Sequence, residues 1–260
     1  MWCGEDTMYG DSRVSSLARV FTALSLALNS LESYYQKLEK TPQPSLTSST
    51  PHPRFFPYPR SFNEDGVTTS FEYCFPLKDS STNVTFFAKT TDKPVRKLVI
   101  KFVGRYSTKP HRHLADNGMA PKLFFCGSLD GETQNEDQGD DPSGLYLGPL
   151  RMVVMDWVEG ETAEGTERED WPKDTYDQVH KALLALHEEN FVFGDLRGPN
   201  VMFNKETKRV FLIDFDWSGP EGTVRYPRHL SKQVDWPGGV GDGIKIAYSH
   251  DLDMLRKLVK

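Results

Sequence analysis

The stretch FVFGDLRGPNVMFNKETKRVFLIDFDWSG, Phe191 to Gly219, decides how the chain is read. Val201-Met202-Phe203 and Val210-Phe211-Leu212-Ile213 are short apolar runs, partly β-branched, with Asn204-Lys205 and Lys208 between them. This pattern predicts a hairpin with a polar turn. Asp195 and Asn200 lie ahead of the first strand and Asp214 closes the second. Two carboxylates and an amide then converge on one spot. Such a spot suits a hard cation such as Mg²⁺, which takes one or two protein carboxylates and completes its shell with water and phosphate.

The order Asp195-Leu196-Arg197…Asn200 followed by Ile213-Asp214-Phe215-Asp216 resembles the catalytic core of the protein-kinase-like phosphotransferases. There the loop reads H-R-D-L-x-x-x-N and the metal-binding turn D-F-G. Gly194 and Asp216 look like the small-molecule branch, the aminoglycoside- and choline-kinase-like enzymes, or like the kinase-like proteins abundant in mushroom-forming fungi. The resemblance covers about residues 55–260 and implies a two-lobed α+β fold. An N-terminal helical extension and linker (1–50) would precede a small antiparallel-sheet lobe (51–157) and a mainly helical large lobe (158–260), short at its C-terminus.

The resemblance also implies ATP and Mg²⁺ as cofactors, and roles for particular residues. Asp195 would accept or orient the proton of an acceptor hydroxyl, and Asn200 and Asp214 would hold Mg²⁺. Arg197 stands where protein kinases place a phosphate-contacting lysine. Lys101, in Leu98-Val99-Ile100-Lys101-Phe102, looks like the lysine of the V-A-I-K strand; taken alone, it reads better as a strand lysine facing solvent, and its place upstream of Asp195, Asn200 and Asp214 brings the functional reading level. Met155, Asp156 and Trp157 fall in the hinge beside adenine. Asp251, with Asp253 in reserve, would fix the catalytic-loop backbone.

Two departures stand out. Gly66 is the only glycine between residues 50 and 100, so the glycine-rich phosphate lid is absent. The helix expected at Lys109–Gly118 has Asp116 as its only acid, so Lys101 is expected to reach Asp214 or Asp116. Two functions follow. One is an ATP- and Mg²⁺-dependent phosphotransferase acting on a hydroxyl of protein Ser/Thr or of a small molecule. The other is a pseudokinase that binds nucleotide or serves as a scaffold.

Composition narrows the partners. A formal net charge of -6 argues against nucleic acid or an anionic membrane. Cys3, Cys74 and Cys126 form no disulfide framework or zinc spacing, and the acidic N-terminus lacks a signal peptide's basic start. A cytoplasmic protein is expected. Leu17, Val20, Phe21, Leu24, Leu28, Leu31, Tyr35 and Leu38 recur at helical steps and predict a helix over Val14–Lys40, ended by Pro42 and Pro44. It is expected to dock on the main domain, or else to bind a partner. The run Val20–Leu28 is too short to span a bilayer.

Further strands are expected at Val67–Phe75, Thr85–Thr90, Ala120–Cys126 and Arg151–Val158, with helices at Asp174–Asn190 and from His250. Leu129–Gly148 reads as a solvated, disordered loop. His111 and His113, two apart, are expected on solvated surface rather than as a metal pair. Ser218–Tyr248, rich in Gly, Pro and aromatic residues, would hold the phosphate acceptor.

Overall fold

Side chains alternate along extended backbone, so Leu98, Ile100 and Phe102 face one way and Lys101 and Val103 the other. The strand that carries them, β4 (Lys97–Val103), lies inside a six-stranded antiparallel sheet. Its other members are β1 (Ser61–Glu64), β2 (Val67–Pro76), β3 (Thr85–Thr90), β5 (Leu123–Gly127) and β6 (Arg151–Asp156), in the order β1-β2-β3-β4-β6-β5. The architecture is read from a computed structural model that describes residues 7–40, 56–77, 84–132 and 150–259. The expected loop at Leu129–Gly148 falls mostly outside the described residues.

One face of the sheet buries an aromatic core of Phe62, Phe71, Phe86, Phe102 and Phe125 with Leu98, Ile100, Met152 and Val154. Each such side chain contributes about 1.5–3 kcal/mol by leaving water. The other face sends Val103, Val153 and Met155 into a second core. That core also takes Leu114 from α2 (Thr108–Asp116), Val179, Leu183 and Leu186 from α3 (Thr175–Glu188), and Met254 and Leu255 from α4 (Tyr248–Leu258). Lys101 therefore emerges on the side of the sheet that meets the helices.

The remaining strands are short. β7 (Gly160–Thr162), β9 (Val201–Asn204) and β10 (Val210–Leu212) form a three-stranded sheet in the order β10-β9-β7. β9 and β10 pair antiparallel, Leu212 opposite Val201, as the hairpin expectation required. β8 (Phe191–Val192) pairs with β11 (Gly219–Pro220). The helix α3 stops at Asn190, which takes the left-handed conformation (φ 61°) that often closes helices. β1 was not expected from the sequence. Its connection to β2 is Asp65-Gly66, both at positive φ (51° and 84°), a backbone that suits a two-residue hairpin turn.

The chain divides into two units, Met1–Pro53 and Arg54–Lys260. The first carries, among its described residues, the helix α1 (Thr7–Lys40), which starts ahead of the expected Val14. Its described side chains, residues 14–37, are all exposed. By length and composition Val14–Lys37, with mean hydropathy 1.3, could cross a membrane. The run Val20–Leu28 is a part of this longer stretch, in which serines and threonines are spaced among the apolar residues.

Candidate active site

The loop from Phe193 to Asn200 is fastened from below. Phe193 and Gly194 donate their N–H groups to the two oxygens of Asp251, each at 2.8 Å, and His187 Nε2 lies 3.1 Å from Asp251 Oδ2. Asp251 is 1 % exposed, in the first turn of α4. This is the contact expected of it; Asp253 instead pairs with Arg256 at the surface. Gly194 is required for the geometry: its φ is +84°, and a Cβ there would come within 2.8 Å of Ile246 Cδ1.

Beyond that turn, Asp195 is buried. Asn200 Nδ2 donates to the Asp195 backbone oxygen at 2.8 Å and to Oδ2 at 2.9 Å. Arg197 grips the same carboxylate through Nε and through Nη2, the latter at 2.7 Å. The guanidinium also lies over two indole rings, 5.7 Å from the centroid of Trp217 and 5.6 Å from that of Trp236, a favourable cation–π arrangement. Burial pushes the Asp195 carboxyl above its ordinary range, against the pull of Arg197.

Asp214 reaches the same cleft from the end of the hairpin. The Ile213 N–H donates to the Asn200 carbonyl at 3.0 Å, which sets the two loops side by side. Asp214 has φ 69°, a left-handed backbone that is costly for a non-glycine residue and is found preferentially at functional sites. Across the cleft, Lys101 is 8 % exposed and donates to Asp214 Oδ1 at 2.7 Å and to Asp216 Oδ1 at 2.8 Å. Burial opposes the lysine's charge, but the two carboxylates outweigh it and raise its pKa. Burial, then the negative charge of Asp214, pushes Asp216 up to about 7. Asp214 lies below the usual carboxylate range because the Lys101 ammonium outweighs its burial.

The expectation for Lys101 is met at Asp214; Asp116 is exposed and lies outside the ion pairs of the cleft. At the hinge Met155 is buried, and the Trp157 ring packs edge-on against Phe87 with centroids 4.8 Å apart. The N–H groups of Asp156 and Trp157 already donate to the carbonyls of Lys122 (2.8 Å) and Lys97 (3.2 Å). These two residues therefore offer a ligand their carbonyls and side chains, not free N–H donors.

His111 corrects an expectation. It is fully buried, not on solvated surface, and stacks on Phe215 at 4.5 Å with the rings 6° apart. Phe193 meets Phe215 edge-on at 5.4 Å. Nε2 of His111 lies 2.7 Å from the Pro121 carbonyl and must carry the proton; Nδ1 then accepts from the Tyr106 hydroxyl at 2.7 Å. Burial, helped by the charges of Arg112 and Lys101, lowers its pKa to about 4. A depressed histidine adds stability that is fully present above the free value of 6.5 and is lost as pH falls through about 4. Urea unfolding of the wild type and a His111→Gln variant at pH 7 and pH 4 should show about 3 kcal/mol of extra acid loss in the wild type. Parallel losses in the two proteins would refute a neutral, buried His111.

The donor set fits a hard cation. Asn200 spends its side-chain nitrogen on Asp195 and its backbone carbonyl on Ile213, which leaves its side-chain oxygen as a candidate ligand together with the Asp214 carboxylate. Among the described residues no group of three or more His, Cys, Asp or Glu side chains could hold a metal.

No family model matches the chain. Among solved structures it is similar to the kinase PK-1 of Cydia pomonella granulovirus, with a TM-score of 0.52 and 16% sequence identity, covering 73% of this chain and 68% of that chain. The fold is protein-kinase-like. Likeness at this identity carries the architecture alone, so activity has to be argued from the site. β4 carries Lys101, β6 ends at Asp156, and the segments Phe193–Asn200 and Asp214–Asp216 are set side by side by the Ile213 N–H bond to Asn200. The helix that follows β4, α2, packs the ring of His111 against Phe215, and no acid is among its buried residues.

Proposed function

We propose that this chain is an ATP- and Mg²⁺-dependent phosphotransferase that passes a phosphoryl group to a hydroxyl. The observation that carries the reading is the gathering of Asp195, Asn200, Asp214 and Lys101 on one cleft, joined by the contacts of Asn200 to Asp195 and to the Ile213 N–H and of Lys101 to Asp214. Phosphoryl transfer asks little covalent chemistry of a protein; it asks for positioning and for charge placed against developing charge. Lys101 supplies a fixed ammonium for nucleotide phosphates. Arg197 can offer a bidentate fork to the transferred group once it leaves Asp195. Asp195, held by Asn200 and with its carboxyl pushed upward by burial, would receive or orient the proton of the acceptor hydroxyl. Asp214 and the Asn200 side-chain oxygen would hold Mg²⁺, whose charge would offset that of the phosphates. The acceptor is a protein Ser/Thr or a small molecule, bound against the Ser218–Tyr248 segment.

A nucleotide-binding pseudokinase is the second reading. It is favoured by one contact: Arg197 occupies both oxygens of Asp195, the atoms a hydroxyl proton would need.

Thermal shift with and without Mg·ATP, coupled to ADP release, separates the two. Under the phosphotransferase reading the wild type is stabilised, by about 2.7 kcal/mol at a hundredfold excess over Kd, and releases ADP. Stabilisation without release would transfer the case to the pseudokinase. Neither effect would end both readings.

A further inference from the structure

Nucleotide-facing lysines in kinase-like proteins are paired with a glutamate from the following helix, and α2 offers none. Its buried residues are Thr108, Pro110, His111 and Leu114. His111 has both ring nitrogens engaged by Tyr106 and Pro121 and is neutral, so it cannot balance an ammonium. Asp116 is exposed. Yet Lys101 is buried and its charge must be matched, because an unpaired buried ammonium is costly. Its partners are Asp214 at 2.7 Å and Asp216 at 2.8 Å.

We propose that Asp216 is the positioning residue of Lys101, the second carboxylate that keeps the ammonium in the cleft where α2 provides no acid. Asp214 alone would be a poor anchor, because it is also the carboxylate that a cation bound in the cleft would claim. Asp216, two residues on and across Phe215, keeps its hold on the lysine whatever Asp214 binds. The packing of Phe215 between His111 and Phe193 fixes the short segment that presents both acids.

The test uses the full chain without nucleotide. Lys101 acetylation by acetic anhydride at a fixed pH of about 8 is followed by mass spectrometry, normalised to exposed lysines. Asp216→Asn should label about tenfold faster than the wild type, Asp216→Glu close to the wild-type rate, and Asp116→Asn at the wild-type rate. Wild-type labelling in Asp216→Asn, or equal acceleration in Asp116→Asn, would overturn the assignment. Asp216→Asn removes one of two crowded negative charges, so folding should survive, as far-UV circular dichroism will show. If it does not, Asp214→Asn decides: labelling that stays within a few-fold of wild type supports Asp216 as sufficient anchor, and labelling as fast as in exposed lysines refutes it.

The assignment rests on the phosphotransferase reading only for its consequence. Calorimetry with ATP in excess chelator should show affinity lowered about tenfold in Asp216→Asn. A wild type that binds no ATP would remove the nucleotide reading and leave the labelling result standing. An ATP-binding wild type with unresponsive labelling would remove the anchor alone.

Discussion

Asparagine in place of Asp195 should lower the rate of phosphoryl transfer by roughly 10²–10⁴-fold, the range that one positioned acid–base group contributes, while leaving nucleotide binding in place. The two effects separate because the contacts of Asp195 are with Asn200 and Arg197, whereas Lys101 is held by Asp214 and Asp216. The substitution also sets a new amide among donors: Arg197 Nη2 and Asn200 Nδ2 both point at Asp195 Oδ2. The side chain must turn, and the Arg197 fork loses one of its two acceptors. Single-turnover ADP formation and the Mg·ATP thermal shift, measured side by side, check the claim. A normal rate in Asp195→Asn would show that the carboxylate takes no part in the transfer step. Loss of the thermal shift together with the rate would show that its role is structural.

Removal of the Asp251 carboxylate should be strongly destabilising. Asp251→Ala leaves the buried N–H groups of Phe193 and Gly194 without an acceptor and strips His187 of its partner. Orphaned buried donors cost about 1–3 kcal/mol each, so a loss of roughly 3–5 kcal/mol is expected, and a melting temperature lower by roughly 10 °C. Circular dichroism melts give the number. Asp253→Ala, which breaks only the exposed pair with Arg256, serves as the comparison and should stay within about 0.5 kcal/mol of wild type. A shift below about 1 kcal/mol for Asp251→Ala would mean that the loop is held by its other contacts.

Much of this was readable from residue order. The hairpin was legible because two β-branched runs flank a polar turn, and its pairing alone carries Asp214 back to Asn200. Asp251 was legible as an acid in the first turn of a helix beyond the loop. His111 was misjudged because it was compared with His113 rather than with Leu114, three residues on and on the same buried stripe. Its polar ring is tolerated there only because Tyr106 and Pro121 satisfy it, and those partners lie outside the helix. That Asp216 shares Lys101 follows from a contact across 115 positions of sequence. The loss of free N–H groups at Asp156 and Trp157 depends on sheet edges that periodicity does not define.

The Arg197 guanidinium resting on the indoles of Trp217 and Trp236 has a practical consequence. Indole emission is sensitive to a cation lying against the ring, so any departure of that arginine toward an incoming phosphate should brighten or recolour the light the protein gives off. The candidate site thus carries its own lamp, and stopped-flow optics could time the opening of Asp195 without an added dye.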